Sequence, residues 1–308
     1  MIDKNTIIYP DKINQNLSLF LSKNWKNNLE KKYNKYGFIL FKNFKVKNLE
    51  DFNSAVKSIH KKIVGYEEAS TPRSKVKGKI YTSTQISAER EIPLHNEMSY
   101  ASKFPKHLWF YSDTVAKKGG YTTIANSKKI YDSINKKIVK EFEEKKVLYI
   151  RKFGLGFDLS WQTTFNTNSK SKVNNYCKIN NIKFKWLPGK KLITFKKNNF
   201  SIYNNKIKSR VWFNQAHLFH KSNYDKKTLS LMKKVYGEDF YPRDAKFGNN
   251  TEIPNSYMSS IRKVLKTNTY NIKWGKGDVA LIDNLLVAHG RSKYIGERKV
   301  YVVMTNDK

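Results

Sequence analysis

Apolar residues recur along this chain with two different periods, and each period predicts a different kind of element. In residues 17–33, 48–63 and 128–146, and again near 256–268, they return about every three or four positions, which predicts four helices. Asn48 stands at the start of the second of these segments and is a candidate N-cap.

Strand-like runs make up most of the remaining chain. Residues 36–44, 107–113 and 121–127 are short apolar and aromatic runs, and similar runs continue from residue 147 to the C-terminus between Gly, Asp and Asn turns. Many short strands with Gly-marked turns favour a β-barrel or jelly roll, so we expect a mainly β core with peripheral helices.

The domain organisation is inferred from the absence of segments that would separate domains in the sequence. We find no internal repeat, no low-complexity segment and no Gly/Ser/Pro-rich linker in the sequence. We therefore expect a single domain over residues 1–308, in which a helical part, 1–70, packs on a barrel formed by 71–308.

The formal net charge of +35 raises the question of a nucleic-acid partner. Only eight of the 60 basic residues are Arg, although Arg is the residue that binds phosphates and bases through two parallel hydrogen bonds. The lysines are spread over the whole chain without a dense basic block. We interpret most of the charge as solvated surface and keep a polyanionic or acidic partner as the alternative.

Cysteine content and hydropathy bear on the compartment. Cys177 is the only cysteine and cannot form an internal disulfide, which fits a reducing, cytoplasmic setting. No run approaches the roughly 18 apolar residues of a membrane-spanning helix. The first ten residues, "MIDKNTIIYP", lack the basic and apolar regions of a signal peptide, so we expect none.

The stretch "IPLHNEMSY" carries the candidate chemistry. If it is a strand, His95 and Glu97 project to one face, since side chains two positions apart share a face. A His-x-Glu pair with a distant second His is the pattern of a facial triad that binds Fe(II) and leaves coordination positions open. His289, at the end of the apolar run in "LLVAHGRS", is the best distant partner.

Spacing alone leaves two alternatives open. A pair with this spacing is more often a hydrogen-bonded core histidine beside a surface carboxylate. His217 and His220 in "HLFH" form a rival pair, which would share a face only on a helix and which we expect rather to line a pocket.

Several motifs in a fixed order resemble the TauD/TfdA family of Fe(II)/2-oxoglutarate oxygenases, in particular the branch of SyrP-like and clavaminate-synthase-like amino-acid hydroxylases. The motifs are "LHNEMSY", "GGYTT", "VWFNQAHLFH", "WGKGDVALIDNLLVAHGR" and "GERKVYVVM". The resemblance runs from about residue 70 to the C-terminus and implies a double-stranded β-helix, a cupin-like jelly roll.

The resemblance implies roles for individual residues. His95, Glu97 and His289 would bind Fe(II), and 2-oxoglutarate would chelate the metal as a cosubstrate that reacts with O₂. Thr122 and Arg298 would hold its far carboxylate, because the guanidinium matches a carboxylate with two parallel hydrogen bonds.

The remaining assignments are less constrained. Arg291, two residues after His289, competes with Arg298 for the cosubstrate and could instead face the substrate or brace its loop. The candidate substrate-pocket residues are Arg73, Thr82, Thr84, Met98, Phe213, Asn214 and Gln215. Asn214 and Gln215 could instead belong to a structural hydrogen-bond network, and Arg73 could lie in solvent. Val302 stands near where some relatives carry a second Arg, so no anchor for a substrate carboxylate is carried over.

The implied substrate is an amino acid or an amino-acid derivative, either free or tethered to an acidic carrier protein. A carboxylate at position 97 argues for hydroxylation, since related halogenases have a small residue there, but desaturation and cyclisation stay open. Two further alternatives are an oxygenase of the same class acting on nucleic acid and a non-catalytic binding protein of the same fold.

Overall fold

The computed structural model describes residues 3–66, 68–71, 73–83, 86–156, 158–237 and 241–307. The α-helices of these ranges are Leu17–Asn24 (α1), Glu30–Tyr36 (α2), Leu49–Ile59 (α3), Ser127–Ser133 (α4), Lys136–Lys145 (α5), Trp161–Phe165 (α6), Lys170–Ile179 (α7), Ala216–Phe219 (α8), Lys226–Tyr236 (α9) and Asn255–Thr267 (α10). The strands are Ile7–Ile8 (β1), Phe38–Phe41 (β2), Lys62–Val64 (β3), Lys75–Lys77 (β4), Ile80–Thr82 (β5), Ile92–His95 (β6), His107–Thr114 (β7), Lys118–Gly119 (β8), Thr122–Asn126 (β9), Val147–Phe153 (β10), Lys183–Leu187 (β11), Lys191–Asn198 (β12), Ser201–Asn204 (β13), Ser209–Trp212 (β14), Arg243–Phe247 (β15), Tyr270–Ile272 (β16), Val279–Asp283 (β17), Val287–Arg291 (β18), Tyr294–Ile295 (β19) and Lys299–Asn306 (β20).

Two sheets built from strands distant in sequence form the core. The larger sheet has the order β1-β2-β17-β7-β20-β5-β4, with β3 also paired to β20. The smaller sheet has the order β16-β9-β18-β6. One buried apolar cluster joins side chains of both sheets, including Phe110 and Val302 from the larger and Ile124 from the smaller. This two-sheet arrangement is the predicted jelly roll, with the helices lying around it.

Strand β7 shows how the sequence pattern places the sheet. Leu108 and Phe110 point into the cluster between the two sheets, whereas Trp109 and Tyr111 belong to the cluster formed with the N-terminal helices. Because side chains alternate between faces, a run that is apolar at every position requires cover on both faces. The barrel interior and the helical layer provide that cover.

The helix boundaries follow their caps. Asn48 accepts a hydrogen bond from the Asp51 backbone N–H at 2.9 Å and caps α3, as predicted. The predicted helix 17–33 is present as α1 and α2 joined by a π-helical turn at Trp25–Leu29. It ends at Gly37, which has φ +69° and where a Cβ would lie 2.6 Å from the Cβ of Leu286.

Two predicted helices were wrong in their extent. The helix predicted over residues 48–63 ends at Ile59, and Lys62–Val64 forms strand β3. Residues 128–146 form two helices, α4 and α5, because Ile134 adopts an extended conformation and Asn135 starts a new helix by capping the Lys137 N–H. The apolar spacing is similar on both sides of the break, so periodicity alone does not reveal it.

A second antiparallel sheet, with the order β11-β12-β10-β15, lies beside the barrel together with the hairpin β13-β14. Its inner residues share a buried cluster with α4, α5, α10 and residues of the smaller barrel sheet. Among the helices of the described ranges, none combines the length and the apolar character needed to cross a bilayer.

Candidate active site

Two histidines meet because their strands are neighbours. His289 on β18 is the direct cross-strand partner of His95 on β6, and their ring centroids lie 4.4 Å apart. The strands approach closely at Gly290, where a Cβ would lie 2.4 Å from the Ile92 carbonyl oxygen. Glycine at this position therefore lets β6 and β18 pair beside the two rings.

The Glu97 carboxylate lies next to the two histidines, but a turn places it there and not the predicted strand. Strand β6 ends at His95, and Glu97 lies in the turn that follows, in which Met98 has φ +56°. The strand-alternation argument for Glu97 was therefore wrong. Its Oε2 nevertheless lies 3.6 Å from Nε2 of His289 and 4.0 Å from Nε2 of His95, so the turn brings the three side chains together.

Buried amides hold this turn. Sequence reasoning assigned no such role to Asn284 or Asn96, and for Gln215 it left a structural network and a substrate contact both open. Asn284 binds both the backbone N–H and the carbonyl of Glu97. Asn96 donates to Ser127 and to the Asn284 carbonyl, and Gln215 donates to the Asn96 carbonyl at 2.8 Å. The available signal was a polar residue inside an apolar run, as in "LIDNLL", because such residues need buried partners.

The three side chains fit a divalent transition metal. The carbonyl of Pro93 lies 2.9 Å from Nδ1 of His95, so Nδ1 carries the proton and Nε2 keeps its lone pair. Burial, followed by the neighbouring His289, lowers the pKa of His95 to about 4, which keeps the ring neutral. One ligand atom from each of the three residues lies within 4.8 Å of the others, and a two-histidine, one-carboxylate set suits Fe(II).

Arg73 is the cation next to this set. Its Nη2 donates to Oε2 of Glu97 at 2.6 Å, and both side chains are almost fully buried. Burial raises the pKa of the Glu97 carboxyl, but Arg73 and the two histidines lower it by more, so Glu97 is ionised. Arg73, which was expected in the substrate pocket, is ion-paired with Glu97, the carboxylate of the triad.

A narrow cavity adjoins the triad on the side of Arg298. Its volume is about 30 Å³. It is lined by Arg73, Ser83, Ile92, His95, Phe110, Thr122, His289, Gly290, Arg291, Arg298 and Val300. Arg298 also borders a wider cavity of about 230 Å³ on its other side.

Arg298 and Thr122 lie together at the far wall of the narrow cavity. Arg298 donates from Nε to the Gly120 carbonyl at 2.8 Å and from Nη2 to Oγ1 of Thr122 at 3.4 Å. The same Oγ1 accepts from Nε1 of Trp274 at 2.9 Å. Burial and the nearby Arg291 lower the pKa of Arg298 to about 10, a value that still leaves the guanidinium charged at neutral pH.

Arg291 braces a loop. Its guanidinium donates to the carbonyls of Ile86, Ser87 and Arg90 at 2.6 to 3.0 Å. These bonds tie the segment before β6 to β18, which is the bracing role left open by the sequence. The side chain also lines the narrow cavity, but its terminal nitrogens are engaged with the loop.

A larger cavity opens on the other side of the triad and has a volume of about 310 Å³. Its lining is mixed polar and apolar and consists of Ser70, Thr71, Ile86, Arg90, Glu91, Ile92, Pro93, His95, Glu97, Gln215, Leu218, Phe219, Asn223 and Arg243. Of the predicted substrate-pocket residues that the structure describes, only Gln215 is in this lining. Arg243 was not predicted, and it is ion-paired with Asp158.

Several predicted pocket residues lie away from both cavities at the triad. Met98 is packed in an apolar cluster, the Phe213 ring packs at a tilt against Phe104, and Asn214 binds the Phe200 carbonyl and the Ala216 N–H. The aromatic run around Asn214 therefore needs its amide to satisfy buried backbone. Thr82 accepts a hydrogen bond from the Ser74 N–H on a partly exposed strand, and Thr84 lies outside the described residues.

The rival histidines are structural. The short helix α8 contains His217, whose Nε2 lies 2.9 Å from the Leu94 carbonyl and so supports β6. His220 bonds to the Ile253 carbonyl and to Ser222. Neither ring lines a cavity next to the triad, so the expectation that they line the pocket was wrong.

Comparisons with known proteins agree with the geometry. Residues 8–304 match the profile of the family described as "Taurine catabolism dioxygenase TauD, TfdA family". The dapdiamide synthesis protein DdaC of Enterobacter agglomerans is 36% identical over 268 residues, 87% of this chain and 82% of that protein. A clavaminate synthase-like protein of Arabidopsis thaliana is 28% identical over 289 residues, 90% of this chain and 84% of that protein.

Solved structures share the fold at low identity. PvcB from Pseudomonas aeruginosa superimposes with a TM-score of 0.56 at 11% identity, over 97% of this chain and 84% of that one. Asparagine oxygenase, solved with Fe(II), hydroxyasparagine and succinate, has a TM-score of 0.55 at 7% identity, over 97% and 93% of the two chains.

Proposed function

This chain belongs to the TauD, TfdA family of dioxygenases, and from that premise we propose that it hydroxylates an unactivated C–H bond of an amino acid or amino-acid derivative. The reaction uses Fe(II), O₂ and 2-oxoglutarate, which is converted to succinate and CO₂. The observation that carries the proposal is the position of His95, Glu97 and His289 between two cavities that differ in size and chemistry.

Each side of the triad suits one of the two organic reactants. The narrow cavity ends at Arg298 and Thr122, a charged donor and a hydroxyl that suit the distal carboxylate of 2-oxoglutarate. The larger cavity has room for a small molecule and offers polar groups from Ser70, Thr71 and Gln215. The C–H bond to be oxidised would therefore face the metal from the larger cavity.

The chain's own residues would hold the metal in place, balance part of its charge and keep water away from it. His95, Glu97 and His289 would hold Fe(II) as two neutral nitrogens and one anion, and the bound metal with its cosubstrate supplies the oxidising chemistry. Apolar residues on both sides, Phe110 in the narrow cavity and Phe219 in the larger, limit water near the oxidant. A carboxylate at position 97 supports hydroxylation as the outcome, since Glu97 would hold the metal where a halogenase would need room for a halide.

The amino-acid class of substrate draws support from the relatives. A dapdiamide synthesis protein and a clavaminate synthase-like protein are similar over most of this chain, and asparagine oxygenase shares its fold. A carrier-tethered substrate is compatible with the +35 charge, which would speed encounter with an acidic carrier protein. The single cysteine supports a reducing compartment, and we place the reaction in the cytoplasm.

The first experiment is anaerobic visible spectroscopy of the purified protein. Addition of Fe(II) and then 2-oxoglutarate should produce a weak charge-transfer band that requires both additions. Glu97→Ala should abolish the band, whereas Glu89→Ala, a control at an exposed position of the loop before β6, should retain it. No band in the wild type would remove the oxygenase proposal and leave a binding protein of the same fold.

The second experiment identifies the substrate class. Free amino acids, and amino acids loaded on an acidic carrier protein, are screened for stimulation of succinate release and for a mass increase of one oxygen atom. Stimulation without added oxygen would indicate desaturation or cyclisation. Stimulation by single-stranded DNA or RNA but by no amino acid would contradict the proposed substrate class.

A further inference from the structure

Arg73 is a fully buried cation whose hydrogen bonds are incomplete. It has one ion pair in the described part of the chain, from Nη2 to Oε2 of Glu97 at 2.6 Å, and its guanidinium lies 4.7 Å from the centroid of the Tyr66 ring. Its Nε and Nη1 are buried without any hydrogen-bond partner in the described ranges. Unsatisfied buried donors on a cation are costly, so these two atoms point to a ligand.

The oxygen that Arg73 holds is the one the metal would need. Oε2 of Glu97 is the carboxylate oxygen that faces Nε2 of both His289 and His95, at 3.6 and 4.0 Å. A divalent cation among these three atoms would compete with Nη2 for Oε2 and would repel the guanidinium. Metal binding must therefore weaken or break the Arg73–Glu97 ion pair.

The place to which the guanidinium can turn is the narrow cavity. Arg73 lines this cavity together with Arg298 and Arg291, and no acidic residue is among the described residues of its lining. Arg73 does not line the larger cavity. A volume of about 30 Å³ holds about two water molecules, so a five-carbon dianion enters only if a lining side chain moves.

We propose that Arg73 is an exchangeable counter-ion, which pairs with Glu97 until a metal ion takes that carboxylate and then binds the carboxylate next to the keto group of 2-oxoglutarate. Arg73 would thus act at the metal end of the cosubstrate, opposite Arg298 at the distal end. The inference rests on the proposed function, and it assigns a positioning residue to the same site.

This exchange of partners couples the affinity for the metal to the affinity for 2-oxoglutarate. Metal binding alone breaks an ion pair and leaves a buried cation without a partner, whereas binding of both ligands restores a partner for Arg73. Each ligand must then raise the affinity for the other ligand by the same factor, since coupling free energies are reciprocal.

The test uses Mn(II) as the metal probe, so that no turnover is needed. Its affinity is measured by calorimetry, with and without saturating 2-oxoglutarate, for the wild type and for Arg73→Gln. Removal of the competing cation should tighten binding of Mn(II) alone by about tenfold and should reduce the strengthening by 2-oxoglutarate by about tenfold. Arg210→Gln, the same replacement at an exposed position on β14, should change neither value.

Arg73→Lys separates competition with the metal for Glu97 from binding of the cosubstrate carboxylate. The same variant provides the test if Arg73→Gln does not fold. It keeps a positive charge for Glu97 but lacks the planar fork for a second carboxylate. Binding of Mn(II) alone should stay as weak as in the wild type, while the strengthening by 2-oxoglutarate should fall. Thermal unfolding of each variant checks that the fold is intact.

Two results would overturn the proposal. If folded Arg73→Gln binds Mn(II) alone no more tightly than the wild type, Arg73 does not compete with the metal. If the strengthening by 2-oxoglutarate is the same in the wild type and both variants, Arg73 does not bind the cosubstrate. A wild type that binds neither Mn(II) nor Fe(II) would instead count against the proposed function, so the two failures are distinguishable.

Discussion

Asn284 accepts the backbone N–H of Glu97 on Oδ1 at 2.7 Å and donates from Nδ2 to the carbonyl of the same residue at 2.9 Å. A further bond runs from Nδ2 to the Pro105 carbonyl at 2.8 Å. One side chain therefore fixes the backbone on both sides of Cα of Glu97, the residue that carries the candidate metal-binding carboxylate. All of these groups are buried, so no water can replace the amide without a cost in free energy.

Asn284→Ala should weaken both the fold and the metal site. The substitution leaves the Glu97 N–H and two carbonyls without partners, and we expect the free energy of unfolding to fall by about 3 kcal/mol. Mn(II) affinity should fall as well, because the turn is no longer fixed. Urea unfolding and calorimetry measure the two effects. Asn205→Ala at an exposed position is the control, and equal behaviour of the two variants would contradict the role of Asn284.

Arg298→Gln should weaken binding of 2-oxoglutarate without changing binding of the metal alone. Loss of a charge-assisted contact to the distal carboxylate should raise the dissociation constant about 100-fold, or about 3 kcal/mol. Titration of the charge-transfer band with 2-oxoglutarate gives the constant. Lys299→Gln, the neighbouring exposed cation, is the control, and a change of less than about threefold in Arg298→Gln would remove this residue from the cosubstrate site.

Two glycines with similar backbone angles provide a matched pair. Gly120 has φ +68°, and a Cβ there would lie 3.0 Å from Cδ of Arg298 and 2.9 Å from Cβ of Ala116. Gly78 has φ +56° with nothing within 4 Å of the added atom. Gly78→Ala should cost about 1 kcal/mol of stability, because the position requires a left-handed conformation, and Gly120→Ala should cost more because the added atom also overlaps Cβ of Ala116. Only Gly120→Ala should also raise the dissociation constant for 2-oxoglutarate, since only it displaces Arg298.

Stability should decrease below neutral pH because of buried neutral histidines. Burial lowers the pKa of His60 and of His217 to about 3, whereas in the unfolded chain the value is about 6.5. As the pH falls below about 6.5, the unfolded chain takes up protons that the folded chain does not. Each of these histidines therefore lowers the free energy of unfolding by about 1.4 kcal/mol per pH unit until the folded pKa is reached.

Urea unfolding between about pH 7.5 and pH 5, in the presence of a chelator, measures this slope. His60→Gln should reduce the slope by about 1.4 kcal/mol per pH unit, since the other titrating groups are common to both proteins. A free energy of unfolding that is constant over this range would contradict the expectation.

Elements whose signal is local could be predicted from the sequence alone. The alternation in β7 and the cap at Asn48 depend on neighbours within a few positions, and both predict what the structure contains. The fold class also followed, because strand-like runs and the order of the motifs indicate it. The sequence named His289 as a partner for His95, but the direct pairing of their strands is known only from the structure. The break between α4 and α5 did not follow, since two short amphipathic helices and one longer helix have the same period.

The sequence by itself determined which residue types are available for chemistry: two histidines and a carboxylate near apolar strands, and a guanidinium before the last strand. Only the tertiary structure decided how they are used. Glu97 contacts Arg73, which is 24 residues away in the sequence, and Asn284, which is 187 residues away. No local periodicity of the sequence indicates contacts over such separations. They arise because burial requires every charge and amide to find a partner, and which partner is near depends on how the whole chain folds.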